Sequence, residues 1–400
     1  MRGAGRHPWA GREGRSGEVT SLRTSREPLR KRPRVVIFVT SPITVASFVM
    51  PIAKAFMARG WSVDIVSAPG EGLDRTAEEL GATAHALPLH RGVAPLAMLK
   101  AFISGTKLVR RMRPDLVLAA TPVAGLLGVV AGRTAKTDAK ILHLAWGLRS
   151  ESLKPPFKQM VGRLETLTAA LADMTLANSG SLSRAITSST WRPLSVSVLG
   201  EGSSHGVDLG KFRFIPQRRN SQPVIGFVGR IRRDKGIIEL LEAIELLDQR
   251  GLSFEAKLVG SLEEVDLASR IEATPRTSHT AFASDVPAVM ADLDVLCLPT
   301  WREGFPNVVL EAGASGRPVV TTTATGAVDA VVEGDTGLLV QPRDPHALAD
   351  ALEQLLRSPE LRATMGESGR RRVEEHFDQE VVCHRLVDFA EQLCGVESPR

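Results

Sequence analysis

Glu303 and Glu311 stand eight positions apart in the stretch REGFPNVVLEAGASG, residues 302–316, separated by a glycine, an aromatic residue and a proline. Pro306 suits the first turn of a helix, because its ring presets φ and its missing N–H has no partner there in any case. Glu303 then lies in the loop before the helix, and Glu311 between one and two turns inside it. The free N–H groups of Gly304, Phe305, Asn307 and Val308 face an approaching anion. A carboxylate beside that anion would repel it, so the glutamates serve better as acceptors for hydroxyls on either side. A diphosphate flanked by hydroxyls on both sides is a nucleotide sugar. Two other readings compete. Glu303 could be a favourable acid at a helix start and Glu311 a surface residue, against which stands the apolar and small company of Glu311 in VVLEAGASG. A glycosidase pair is the other, but two carboxylates on one side of one short segment do not readily flank a bond.

A second cluster lies in GFVGRIRRDKGIIELLEAI, where Gly229, Arg230, Lys235 and Gly236 sit between a strand and a strongly amphipathic helix. It is neither a Walker A loop nor a G-x-G-x-x-G fingerprint. Two cations at a strand-to-helix turn suit a diphosphate. They equally suit a solvated basic turn shared with Arg232, Arg233 and Asp234, and the residues alone do not separate the two.

The elements that must position these groups alternate. From Arg34, short Val/Ile-rich runs such as RVVIFVT, SVDIVSA, PDLVLAAT and KILHLAW alternate with helical periods, and a second series starts at QPVIGFVGR. That pattern predicts an α/β chain of two Rossmann-like domains, each a parallel sheet covered by helices, facing a cleft. The bounds read as a basic tail over 1–33, a first domain over 34–205, a linker over 206–222, a second domain over 223–376 and a helix over 377–396 that crosses back to the first domain. In open parallel sheets ligands collect beyond the carboxyl ends of the strands, so two facing sheets make a two-substrate site.

Composition bounds the rest. Four hundred residues with 43% hydrophobic content support more than one core. Ten Lys/Arg against Glu13, Glu18 and Glu27 place +7 in the first 34 residues, so at a total of +5 the remainder is at −2. The tail has no apolar run, which argues against a signal peptide or an anchor, and its composition predicts disorder. A mis-called start and a basic arm explain it equally. Cys297, Cys383 and Cys394 have no metal-ligand spacing and are too few for a disulfide framework, which fits a reducing cytoplasm.

EGFPNVVLEA resembles the E-x7-E motif of the retaining glycosyltransferase family 4, whose architecture is GT-B. The resemblance runs from about Arg34 to Leu393 and includes GRIRRDKG, GVDLGKF, TTATGAVDAVVEGDTGLLVQPRD, RPDLVLAATPVAGLLGVVAGR and WGLRSES. The last two look like members that build bacterial capsular, exopolysaccharide or O-antigen chains. The resemblance implies that the first domain takes the acceptor and the second the donor. It implies that Arg230 and Lys235 bind the donor diphosphate, with Gly229 in their turn. Glu303 would contact the donor sugar's hydroxyls, helped by the backbone of Gly304, Phe305, Pro306 and Asn307, and Glu311 would hold the ribose. Thr40 and Ser41, in the loop TSPIT, would face the phosphates and the acceptor. In that family the sugar moves with retention, by metal-independent electrostatic stabilisation of the departing nucleoside diphosphate.

Three positions depart from the family pattern: Trp146 where a His is usual, His205 where an Asn is usual, and Val123 where a Lys is common. His143, three residues before Trp146, points to the opposite face of a regular strand and reads as structural. In LAMLKAFISGTKLVRRMRP, Lys100, Lys107 and Arg111 share one helical face, which suits an anionic membrane surface or an ordinary helix covering the sheet. The tail is basic but brings no aromatic platform, so a specific nucleic-acid partner is not expected. The combined reading is a cytoplasmic glycosyltransferase, peripheral at the inner face of the plasma membrane, with no cofactor. It moves a sugar from a UDP-hexose or UDP-N-acetylhexosamine to a lipid-linked or saccharide acceptor. A GT-B epimerase or a non-catalytic sugar-nucleotide-binding protein is the alternative.

Overall fold

The computed structural model describes residues 32–70, 72–89, 95–188, 193–216 and 222–396. The basic tail, apart from Arg32 and Pro33, lies outside the described residues, as do residues 217–221 of the linker.

Two wholly parallel sheets form the frame. The first holds β1 (Arg34–Phe38), β2 (Ser62–Ser67), β3 (Thr83–Ala86), β4 (Leu116–Ala120), β5 (Lys140–Ala145), β6 (Met174–Ala177) and β7 (Val196–Ser197), in spatial order 3-2-1-4-5-6-7. The second holds β8 (Val224–Val228), β9 (Glu255–Val259), β10 (Thr277–Thr280), β11 (Val295–Leu298), β12 (Val319–Thr322) and β13 (Gly337–Val340), in order 10-9-8-11-12-13. The central strands RVVIF, LVLAA, VIGFV and VLCL are nearly all buried. Helices cover both faces of such a sheet, which is why these runs are apolar without alternation.

In each sheet the winding direction reverses once, between β1 and β4 and between β8 and β11. At such a switch point the loops leaving the two central strands part and open a crevice. Thr40 and Thr121 follow β1 and β4, and Gly229 and the Trp301–Glu303 loop follow β8 and β11. Thr40, Ser41, Gly229, Arg230, Lys235 and Glu303 therefore lie at these strand ends, and Glu311 does not.

The last helix, Gln379–Cys394, crosses back as expected. Its Cys383, Leu386, Val387 and Ala390 join the core on one face of the first sheet, and it packs on the Met50–Ala58 helix. Glu391, almost fully buried, accepts from Arg59 Nη1 (2.8 Å) and from the Trp61 indole N–H (3.3 Å). No helix among the described residues is long and apolar enough to cross a membrane.

Candidate active site

The turn after β8 is shaped by its backbone. Gly236 has φ +74, and a Cβ there would lie 1.9 Å from the Pro299 carbonyl oxygen, so only glycine lets the Ile237–Gln249 helix start against the loop after β11. The turn's cations divide. Arg233 bonds Glu264 (2.8 Å) and Asp266 (2.5 Å). Lys235 turns inward instead, and its ammonium donates to Glu303 Oε1. Arg230 reaches Glu263 at 3.5 Å and lines the cleft. The cations of this turn thus take different partners: Arg233 pairs with two carboxylates at the cleft rim, and Lys235 with Glu303.

Glu303 lies in the loop before the Asn307–Ala314 helix, and Glu311 is its fifth residue. Pro306 takes the N-cap with extended ψ of 103°, one place earlier than the first-turn position expected, because the helix begins at Asn307. Among the described residues no acceptor meets the N–H groups of Gly304, Phe305, Asn307 or Val308. Phe305 contributes only backbone to this cradle, since its ring packs on Phe377 in the core of the second half (5.4 Å between centroids). Burial pushes the Glu311 carboxyl up to about 7, and among the described residues no donor reaches it. Glu303 is thus charge-compensated by Lys235, whereas Glu311 is an acceptor without a donor.

Across the cleft, Thr40 and Thr121 join hydroxyls at 2.6 Å, linking the ends of β1 and β4. Thr121 has φ 65° and ψ 150°, a region that costs a non-glycine residue about 1–3 kcal/mol. Ser41 spends its hydroxyl on Thr44 (3.1 Å). A cavity of about 840 Å³ is lined by Thr40, Phe48, Thr121 and Trp146 on one side and by Arg230, Trp301 and Arg302 on the other.

Several bonds hold the halves together around it. Arg302 Nη1 donates to the Leu148 carbonyl (3.3 Å), and Glu151 accepts from Thr325 (2.9 Å). Ser181 bonds Asp329 and accepts from the Gly326 N–H (2.7 Å). Burial raises the Glu151 carboxyl above its ordinary value despite the Thr325 bond. Gly304 sits directly on the first half, where an added Cβ would meet the Trp146 carbonyl oxygen at 2.2 Å.

Arg302 and Trp301 were not singled out from sequence, and Asp234 only as part of a solvated turn. Arg302 adjoins Glu303 and reaches Asp234 Oδ2 (3.4 Å), and Trp301 bonds Glu239 (3.0 Å) beneath the Arg343 guanidinium. For Trp301 and Arg302 the signal was position in the loop of Glu303. The two histidines behave as structural groups. His143 lies partly buried beside Thr175 (3.4 Å), and desolvation lowers it to about 4. His205, also lowered to about 4 by burial, bonds the Asn307 amide (3.0 Å) and packs on Phe48. His205 thus braces the first residue of the glutamate helix, and Phe48 also packs on Trp146 (5.3 Å). Among the described residues no group of three or more His, Cys, Asp or Glu could hold a metal ion.

Comparison with known proteins bears on the family and the fold. Residues 222–358 match the family described as glycosyl transferases group 1, and residues 44–202 match the glycosyl transferase 4-like domain. The capsular polysaccharide biosynthesis glycosyltransferase CapM of Staphylococcus aureus is 34% identical over 343 residues, covering 82% of this chain and 89% of that one. The N,N'-diacetylbacillosaminyl-diphospho-undecaprenol alpha-1,3-N-acetylgalactosaminyltransferase of Campylobacter jejuni is 21% identical over 370 residues, 88% of this chain and 96% of its own. The crystal structure of Anabaena HepE in complex with UDP and glucose superposes with a TM-score of 0.73 at 19% identity, over 90% of this chain and all of that one, a likeness of fold. The chain therefore belongs to glycosyltransferase family 4, with the GT-B architecture.

Proposed function

We propose that this glycosyltransferase moves a sugar, with retention at the anomeric carbon, from a UDP-hexose or UDP-N-acetylhexosamine to a glycan carried on a lipid diphosphate, in the building of cell-surface polysaccharide. The observation that carries it is the meeting of the two switch-point crevices across one cleft. Arg230, the Lys235–Glu303 pair and a cradle of unmatched N–H groups stand on one wall, with the Thr40–Thr121 hydroxyls on the other.

The donor diphosphate takes Arg230 and Lys235, and the N–H groups of Gly304, Phe305, Asn307 and Val308 neutralise the charge that grows as the anomeric bond breaks. Lys235 exchanges part of its bond to Glu303 for a phosphate oxygen, which frees Glu303 to accept from the sugar's hydroxyls. Glu311 receives the ribose hydroxyls it lacks as donors. Gly229, Phe305, Pro306 and Asn307 shape the loops, and Thr40 and Ser41 face the incoming acceptor. The cations take the charge that a metal takes elsewhere, so no cofactor enters.

The names of the CapM and Campylobacter relatives support a polysaccharide product and a lipid-diphosphate acceptor, and the HepE complex supports UDP. Such an acceptor places the enzyme at the inner face of the plasma membrane. The test is a thermal-shift screen of nucleoside diphosphates and their sugars, followed by proton NMR of the product formed from the donor that shifts. A raised melting temperature with UDP and an anomeric centre matching the donor's is expected. Donor turned over without an acceptor would make it an epimerase, and binding with no turnover a non-catalytic protein.

A further inference from the structure

The Phe157–Leu171 helix carries an apolar row on its outer side. Phe157, Met160, Leu164 and Leu167 are 62, 51, 41 and 46% exposed, at the i, i+3, i+7 and i+10 spacing of a single helical stripe. Isolated exposed apolar residues are ordinary, but a contiguous row of four marks a surface made to meet something.

Charge says what it meets. With the Pro95–Met112 and Pro122–Ala135 helices it forms one layer, the 122–135 helix packing between the other two. Those three helices contain Lys100, Lys107, Arg110, Arg111, Arg133, Lys158 and Arg163, and a single carboxylate, Glu165. Glu165 faces inward, where it accepts from the Arg149 N–H (2.6 Å) and the Ser150 hydroxyl (2.6 Å). Arg133 pairs with Asp173 (2.7 Å) and Arg110 bonds the Ala135 carbonyl (3.3 Å), so the outer face is apolar with Lys100, Lys107, Arg111, Lys158 and Arg163 as its cations. The chain beyond the tail is slightly acidic overall, so the excess is local.

Position adds a third argument. Leu153 lines the cleft and Phe157 starts the row four residues later, a span of at most about 14 Å. A lipid whose tail lies beside Phe157 can hold its headgroup at the cleft mouth. We infer that this helix layer docks on an anionic bilayer, the row Phe157–Met160–Leu164–Leu167 seating in the interface and the Lys/Arg residues meeting lipid phosphates. Sequence alone offered the 95–112 helix, where Leu99 and Ile103 are exposed among Lys100 and Lys107, as a membrane face or as an ordinary helix covering the sheet; it flanks the main contact. The inference rests on the proposed lipid-linked acceptor for its purpose, though not for its evidence.

The test is flotation of the full chain with phosphatidylcholine vesicles, with and without phosphatidylglycerol, across a salt series. Binding to the anionic vesicles alone, weakened by salt, is expected. Phe157→Glu/Leu164→Glu should cut the bound fraction by about tenfold or more, and Lys158→Ala and Arg163→Ala by about fivefold each. All should melt as the parent does and keep its UDP-induced thermal shift. Unchanged vesicle binding by the double Glu variant overturns the inference. So does a parent dimer, seen by sedimentation, that the double variant abolishes, since the row would then be a contact between copies. Vesicle binding without any nucleotide-induced shift would leave this surface standing and sink the proposed donor instead.

Discussion

Lys235, at the end of the turn after β8, donates its ammonium to Glu303 in the loop after β11, and both side chains are about five-sixths buried (16% and 15% exposed). One ion pair thus ties together the two loops that frame the second half's switch point. Removing one partner leaves the other's charge largely buried, which costs more than the pair itself is worth. Lys235→Ala is therefore expected to destabilise the chain more than the double variant Lys235→Ala/Glu303→Gln. The coupling should be roughly 1–3 kcal/mol by denaturant titration. In turnover the order differs, because both single variants should lose about 10²–10³-fold in kcat. Additive losses in stability would show that the pair is a surface accident.

Glu311 makes a separate prediction from pH. Its folded carboxyl sits near 7 against 4.5 for an ordinary glutamate, because burial penalises the charged form. A group that binds its proton more tightly when folded stabilises most below its unfolded pKa. That contribution is lost as pH rises from 4.5 through 7 and is gone above, at a cost of at most about 3 kcal/mol. Glu311→Gln should flatten this part of the stability profile and melt higher than the parent at pH 8. Ribose hydroxyls prefer a charged acceptor, so UDP binding at pH 6.5 should release a proton. Calorimetry in buffers of different ionisation enthalpy reads that release, and its absence would remove Glu311 from the nucleotide site.

Much of this was legible beforehand, for a physical reason. Parallel strands buried on both faces write themselves as apolar runs, so RVVIF and VIGFV announced their sheets, and the glutamate helix announced itself through Pro306 and the small residues after it. What stayed hidden was pairing across sequence distance. Nothing in GRIRRDKG says that Lys235 turns to Glu303 while Arg233 turns to Glu264 and Asp266. Nor does the sequence show that Gly304 lies on the Trp146 carbonyl, since that contact depends on how two domains close. The apolar row at 157–167 was invisible for a simpler reason: a helix that packs one stripe and exposes another looks apolar all round, and only burial tells the stripes apart.

The Gly304 contact can be tested by a single methyl. Its Cβ would fall 2.2 Å from the Trp146 oxygen, a backbone atom that cannot rotate away, so Gly304→Ala must part the two halves or shift the glutamate loop. Overpacking of this kind costs about 1–3 kcal/mol, and here it acts at the loop proposed to hold the donor. Transfer should fall more than about tenfold together with the UDP-induced thermal shift. Gly162→Ala, whose new methyl meets nothing nearer than 3.8 Å, is the control and should change neither. Normal transfer by Gly304→Ala would mean that the working enzyme does not close as seen here.

The crossing helix gives a prediction that separates stability from chemistry. Glu391 accepts from both Arg59 and the Trp61 indole with its carboxylate only 5% exposed, on the first sheet's side of the molecule. Glu391→Ala removes the indole's acceptor and one of the two carboxylates that Arg59 pairs with, Asp388 remaining, so it should cost about 1–3 kcal/mol. Glu391→Gln keeps an acceptor for Trp61 and gives up the charge, so it should lose clearly less. Because the helix anchors the second half's chain end on the first sheet without touching the donor wall, kcat below the melting transition should stay within about twofold in both variants. The rise in melting temperature produced by saturating UDP should also match the parent's. If Glu391→Ala instead lowered kcat in step with stability, the crossing helix would be setting the angle at which the two crevices meet, and its role would extend from holding the halves to aligning them.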